Sequence, residues 1–172
     1  YWDSKFLAQM IREQEKMEIT SVSRLTEDRF FRVSTGDSRP TEEAENTFPS
    51  TAEELAQYDL IAFGKGAEYF LDEKRLALLS EYVRDRGGSV LFTRGKPYRS
   101  TFDGLEFLEP VTWGEKIGEP FQLRPTASGE AAGLFGDLLP GAGDPIWNQL
   151  PTLSDSHQCL EMKPFTEVML EG

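Results

Sequence analysis

The residues best suited to chemistry form two short loops that combine glycine with basic side chains. Gly64-Lys65-Gly66-Ala67 follows one short apolar run, and Thr93-Arg94-Gly95-Lys96-Pro97 follows another, with Arg99 just beyond. Lysine and arginine donate hydrogen bonds to anions, and glycine lets backbone N–H groups approach a bound anion closely. We therefore predict a binding site for a small anionic or sugar ligand, formed by Gly64, Lys65, Gly66, Thr93, Arg94, Gly95, Lys96 and Arg99.

The distribution of charge favours the same two loops. The 172-residue chain has 18 basic and 30 acidic residues, a net charge of −12. Residues 65–100 reverse this balance with 8 basic and 5 acidic residues, whereas residues 101–172 hold 3 basic and 12 acidic ones. The alternative is that these cations pair with the carboxylates around them, since surface ion pairs are common and weak. Because the whole chain is acidic, we expect no nucleic-acid partner and no docking on anionic lipid.

His157 and Cys159 form a second candidate site. Two positions apart on a strand they would share a face, which permits a thiolate–imidazole pair. The alternative is that Cys159, the single cysteine, is a small buried residue of an apolar strand. The carboxylate clusters at 42–45 and 53–54 have no histidine nearby, and the chain contains neither a Walker loop nor a Gly-x-Gly-x-x-Gly motif. We therefore expect no metal and no cofactor.

The elements that position the two glycine-rich loops form one strand–helix–strand unit. The apolar runs at 58–64 and 89–93 predict short parallel strands covered on both faces. Between them a helix opens at Asp72 and is stopped by Gly87-Gly88, with its apolar residues on one face. Such a unit is a crossover between parallel strands, and ligands of parallel sheets bind beyond the carboxyl ends of the strands.

The rest of the chain predicts an α/β core with an irregular, partly antiparallel C-terminal third, in a single domain over 1–172. The patterns predict a helix over 4–16, a strand over 18–23, a mobile loop over 34–50, a capped helix over 51–57 and short β-like pieces at 106–113, 121–126 and 160–170. Since no strand precedes the first helix, we expect a fragment of a longer protein. No apolar run approaches 18 residues, so we expect no membrane insertion by this fragment.

The order of the central segments resembles a known superfamily. Tyr58-Asp59-Leu60-Ile61-Ala62-Phe63-Gly64 is followed by Leu76-x-x-Leu79-x-x-Tyr82-Val83-x-x-x-Gly87-Gly88-Ser89-Val90-Leu91-Phe92. This arrangement resembles the class I glutamine amidotransferase-like superfamily, and is closer to an uncharacterised branch found within large bacterial membrane-anchored proteins, often beside von Willebrand type A domains. Further similarity to that branch lies in Trp2-Asp3-x-x-Phe6-Leu7, Leu150-Pro151-x-Leu153 and Lys163-Pro164-x-x-Glu167-Val168.

The resemblance implies a three-layer parallel-sheet sandwich of the flavodoxin-like, class I glutamine amidotransferase-like kind. The active members of the superfamily carry a cysteine nucleophile on a tight turn, but the corresponding turn here, Phe92-Thr93-Arg94-Gly95-Lys96, has neither cysteine nor serine. Where those members have a His-x-Glu pair, this chain has His157-Gln158-Cys159. The resemblance therefore implies that glutaminase activity is absent.

Three functional hypotheses follow. The first is a catalytically silent amidotransferase-like domain, acting as a binding or interaction module in a larger bacterial protein, with a protein partner or other domains of the parent chain as its ligand. The second is a trehalose-utilisation-like or other small-ligand protein or enzyme that uses the loops at 64–67 and 93–99. The third is a residual hydrolase that uses Cys159 and His157.

Overall fold

The computed structural model describes residues 2–13, 16–37, 39, 41–43, 45–93, 95–96, 98, 102–133, 146–154 and 156–172. The described helices are α1 (Trp2–Arg12), α2 (Ala52–Leu55), α3 (Glu73–Arg84) and α4 (Ala127–Ala131). The described strands are β1 (Thr20–Thr26), β2 (Arg29–Ser34), β3 (Thr41–Glu43), β4 (Leu60–Phe63), β5 (Ser89–Phe92), β6 (Val111–Ile117), β7 (Arg124–Pro125), β8 (Ser156–Met162) and β9 (Leu170–Glu171). The chain divides into two compact units, Tyr1–Leu108 and Glu109–Gly172.

The prediction of a three-layer, flavodoxin-like parallel-sheet sandwich is wrong. Within the described residues β4 and β5 are the only parallel pair, and the other sheets, ordered β1-β2-β3, β6-β8 and β7-β9, are antiparallel. A larger parallel sheet needs a crossover of a dozen or more residues between successive strands. Two turn residues, Glu27 and Asp28, join β1 to β2 and force them antiparallel. The protein is therefore a mixed α/β molecule with small sheets.

The predicted strand–helix–strand unit is confirmed. Leu60 pairs with Ser89 and Phe63 with Phe92 in parallel register, and α3 lies between the two strands in the chain. Asp72 caps α3 by accepting a hydrogen bond from the Arg75 N–H at 2.8 Å, and the helix ends before the predicted glycine pair. The core of the first unit gathers around this motif and consists of Leu55, Phe63, Ala67, Leu71, Leu79, Tyr82, Tyr98 and Leu105.

The N-terminal part of the first unit differs from the predictions in detail. The helix predicted over 4–16 spans Trp2–Arg12, and the segment 34–50, predicted as a mobile loop, contains the strand β3. A two-bonded ion pair between Arg29 and Glu42, with nitrogen–oxygen distances of 2.6 and 3.0 Å, holds β3 against β2. The capped helix is confirmed as α2, because the Thr51 hydroxyl accepts from the Glu54 N–H and the Glu54 carboxylate accepts from the Ser50 N–H.

The second unit is built around the antiparallel pair β6 and β8. The register shifts twice along this pair, next to Trp113, which is typical of β-bulges. The strand predicted over 160–170 ends at Met162, because Pro164 lacks the N–H that a ladder needs and a turn begins there. A bridge between Phe121 and Leu153 and the short pair β7 and β9 complete the described pairing of this unit.

Candidate functional site

The two glycine-rich loops begin next to each other at the carboxyl end of the parallel pair. The Thr93 N–H donates to the Phe63 carbonyl at 3.0 Å, and the Thr93 hydroxyl donates to the same oxygen at 3.3 Å. Gly64, Lys65 and Gly66 continue from Phe63, and Gly95 and Lys96 follow Thr93 closely. The parallel register thus brings the described parts of both loops to one sheet edge, as expected for strands that run in the same direction.

The basic side chains of these loops have different surroundings. Lys65 is exposed, whereas the Lys96 ammonium lies 4.9 Å from the ring centre of the buried Tyr98, a cation–π contact. Arg94 and Arg99 lie outside the described residues. Elsewhere in the basic segment, Arg84 pairs with Asp85 at 3.0 Å and Arg86 with Glu81 at 3.1 Å. The anion site at Gly64, Lys65, Gly66, Thr93, Arg94, Gly95, Lys96 and Arg99 stays a prediction.

Gly66 has a structural role that competes with anion binding. Its φ is +94°, and it precedes a short 3₁₀ turn at Ala67–Tyr69. A Cβ at this position would lie 3.1 Å from the Tyr69 ring. The same ring also contacts the guanidinium of Arg24, which lies 4.3 Å from the ring centre. Glycine combines this backbone conformation with room for the ring, so packing accounts for the glycine at position 66 without a bound anion.

The parallel pair exposes one apolar face. Ile61, Phe63, Val90 and Phe92 are buried or half-buried, and Phe63 stacks on Phe92 with ring centres 6.0 Å apart. The alternate residues Leu60, Ala62 and Leu91 are exposed, Leu60 by 48% and Leu91 by 43%. We call Leu60, Ala62 and Leu91 the open face. Parallel strands are normally covered on both faces, so an open face on such a pair is the unusual feature of this unit.

The sequence did not reveal the open face. Both strands read as continuous apolar runs, which is the pattern of strands covered on both sides. Residues of the covered and the open face are equally apolar, so no alternation marks the exposed positions. The exposure of Leu60 and Leu91 can be recognised only from the three-dimensional arrangement of the two strands and the core that covers their other face.

The second candidate pair lies on β8 in the other unit. His157 is opposite Lys116 and Cys159 is opposite Trp113, and the rings of Trp113 and His157 are 6.3 Å apart in an edge-on arrangement. Cys159 is exposed, so its interpretation as a small buried hydrophobic residue is wrong. Nearby, the Trp113 indole N–H donates to the buried Glu109 carboxylate at 2.7 Å, which fixes the indole ring.

No family model, curated protein or solved structure matches the chain. Within the residues that the structure describes, no helix has the length and apolar character needed to cross a membrane, and no group of three or more His, Cys, Asp or Glu side chains is arranged to hold a metal ion.

Proposed function

We propose that this protein is a non-catalytic interaction module that binds an amphipathic helix of another protein, or of another domain of its parent chain, on the open face. The observation that carries the proposal is the exposure of Leu60 and Leu91 on a parallel strand pair whose other face is buried. Burial of a leucine side chain from water contributes roughly 1.5–3 kcal/mol, so two half-exposed leucines supply an apolar contact centre.

The geometry of the sheet favours a helix as the occupant. In α/β proteins, helices cover the faces of parallel sheets. Here α3 lies between β4 and β5 in the sequence, and its Leu79 belongs to the same core cluster as Phe63 of β4. A second helix on the opposite face would complete the layering around β4 and β5. An amphipathic helix offers apolar residues at positions i, i+3, i+4 and i+7, which match a narrow apolar strip.

The absence of a nucleophile in one segment supports the non-catalytic part of the proposal. The resemblance to the class I glutamine amidotransferase-like superfamily stays a prediction, and under it the nucleophile turn corresponds to Phe92-Thr93-Arg94-Gly95-Lys96. This segment holds neither cysteine nor serine, and its Thr93 hydroxyl already donates a hydrogen bond to the Phe63 carbonyl. Covalent catalysis needs an activated nucleophile beside a base, which this turn does not provide within its described residues.

The test is an NMR titration of the labelled full chain with a designed 18-residue amphipathic helical peptide that carries leucines on one face. We expect amide shifts at 60–63 and 89–92, and a loss of at least about tenfold in affinity with Leu91→Lys. Leu25→Lys is the matched control, because Leu25 is 60% exposed on β1. Shifts confined to other segments, or equal effects of the two substitutions, would contradict the proposal.

A further inference from the structure

The turn that follows β8 presents a phenylalanine entirely to solvent. Pro164 and Phe165 occupy the two central positions of this turn, and the Thr166 N–H donates to the Lys163 carbonyl at 3.2 Å. Phe165 has a relative exposure of 105%, greater than that of any other large apolar residue in the described part of the chain. Its side chain therefore contributes no buried area to the fold.

The backbone of Phe165 adopts a conformation that disfavours phenylalanine. Its φ is +67°, and it is the only non-glycine residue with a positive φ among the residues described. The third position of such a proline-containing turn is normally glycine or asparagine, which tolerate the left-handed region. Strained residues of this kind persist at sites of function more often than elsewhere. Glycine or asparagine would fit this backbone conformation with less strain, so the fold does not account for the aromatic side chain.

Both ends of the turn are fixed to one backbone oxygen. The Lys163 N–H donates to the Pro110 carbonyl at 3.0 Å, and the Thr166 hydroxyl donates to the same oxygen at 2.8 Å. Pro110 immediately precedes β6, whose first residue Val111 pairs with Met162 at the end of β8. The turn is thus an extension of the β6–β8 pair, and the backbone of Phe165 is held at a defined place next to that pair.

We propose that Phe165 is the anchor of a second protein contact, in which its ring enters an apolar pocket of a partner protein with basic side chains around the pocket. Aromatic side chains on rigid supports lose little conformational entropy on binding and dominate many interfaces. The basic rim follows from charge complementarity, because Glu161 and Glu167 are exposed on either side of the turn, with Lys163 the one basic residue between them. Residues 109–172 hold ten acidic and three basic residues in all. This contact does not rest on the open face and lies in the other unit.

Charge also argues against two other occupants of this contact, a membrane surface and a second copy of the chain. A membrane surface in cells carries negative charge, which repels a chain of net charge −12. One phenylalanine buries too little apolar area to hold a protein on an uncharged bilayer, since even a complete myristoyl chain binds only marginally. A second copy of this chain carries the same net charge and is repelled in the same way.

The first test is the effect of Phe165 on stability. We expect Phe165→Asn and Phe165→Gly to raise the unfolding temperature of the full chain by about 2 °C or more, because both residues tolerate the left-handed backbone. The matched control is Phe107→Asn, since Phe107 is 50% exposed in a turn of the first unit. A lowered unfolding temperature with both Phe165 variants would show that the ring supports the fold, and would overturn the proposal.

The second test uses a display library of a small folded scaffold with a randomised surface, selected against the full chain. Binders selected from a random library concentrate on the surface positions that contribute most to binding energy. We therefore expect a large share of the selected clones to lose at least about tenfold in affinity for Phe165→Asn and to bind Phe165→Trp as tightly as wild type. These clones should be rich in lysine and arginine, and their binding should weaken as salt is added. Clones indifferent to Phe165→Asn would overturn the proposal.

Two further measurements separate the other occupants from a basic protein partner. Cosedimentation with phosphatidylcholine vesicles that depends on Phe165 would indicate a lipid surface, and a dimer in analytical ultracentrifugation that depends on Phe165 would indicate a second copy. Either result would overturn the proposal. The variant Leu91→Lys should leave the Phe165-dependent binders unaffected, so failure of one contact does not decide the other.

Discussion

At the residue scale, the tightest surroundings of any described glycine in the first unit are those of Gly88, which lies against a tyrosine ring. A Cβ added at Gly88 would lie 2.1–2.4 Å from three atoms of the Tyr82 ring. That ring is 3% exposed, and its hydroxyl donates to the Tyr58 carbonyl at 2.9 Å, so it cannot move without losing a hydrogen bond. We predict that Gly88→Ala lowers the free energy of unfolding by about 2–3 kcal/mol, through overpacking and the strained hydrogen bond.

The adjacent glycine is the control for this prediction. Gly87 has a φ of +73° and no atom within 4 Å of an added Cβ, so Gly87→Ala costs only the left-handed backbone, about 1 kcal/mol. Urea unfolding of both variants measures the difference. Equal losses would mean that the Tyr82 ring has room to move. Sequence alone predicted that this glycine pair ends α3, but the contact with Tyr82 depends on tertiary packing that periodicity does not report.

At the scale of elements, sequence patterns located the strand–helix–strand unit correctly because its signals are local. The apolar runs at 58–64 and 89–93, the cap at Asp72 and the glycines after α3 each act within a few residues. Pairing partners and face coverage depend on distant segments, so the three-layer sandwich was wrong and the open face was missed. The turn at Pro164 had a usable local signal, since proline within an apolar run argues against a continuous strand.

The Asp72 carboxylate that caps α3 makes the free energy of unfolding depend on pH. The Arg75 N–H bonds to the Asp72 carboxylate and lowers its pKa, and the Arg75 guanidinium lowers it further. A carboxyl with a lowered pKa in the folded state contributes stability above its ordinary pKa and loses it as pH falls through the lowered value. We predict that wild type is more stable than Asp72→Asn at neutral pH, and that this advantage disappears in acid.

Asparagine and alanine separate the charge of Asp72 from its hydrogen bond. Asparagine still caps a helix but carries no charge, whereas alanine does neither. At neutral pH the order of stability should be wild type, Asp72→Asn, Asp72→Ala; at a pH below the lowered pKa, wild type should match Asp72→Asn and still exceed Asp72→Ala. Thermal unfolding across this range measures both differences. A constant gap between wild type and Asp72→Asn would exclude the carboxylate charge as the source.

At the scale of the whole molecule, the two units differ in how they are stabilised. The apolar core cluster runs from Leu55 to Leu105 and belongs entirely to the first unit, whereas Trp147 is the one buried large apolar residue in the described part of the second. The second unit also has the higher net negative charge per residue, with ten acidic and three basic residues over 109–172 against 20 and 15 over 1–108. Less apolar burial and more self-repulsion both lower local stability.

Hydrogen exchange on the full chain tests this difference. We predict that amides of β4, α3 and β5 exchange at least about tenfold more slowly than those of β6 and β8, because opening the first unit exposes its core to water. Added salt reduces the screening length from about 10 Å at 0.1 M to about 3 Å at 1 M, so it should slow exchange more in the second unit, where the net negative charge per residue is higher. Equal protection in both units at low salt would mean that they open as one cooperative structure, in which case Phe165 and the open face would be presented by a single folding unit and not by two.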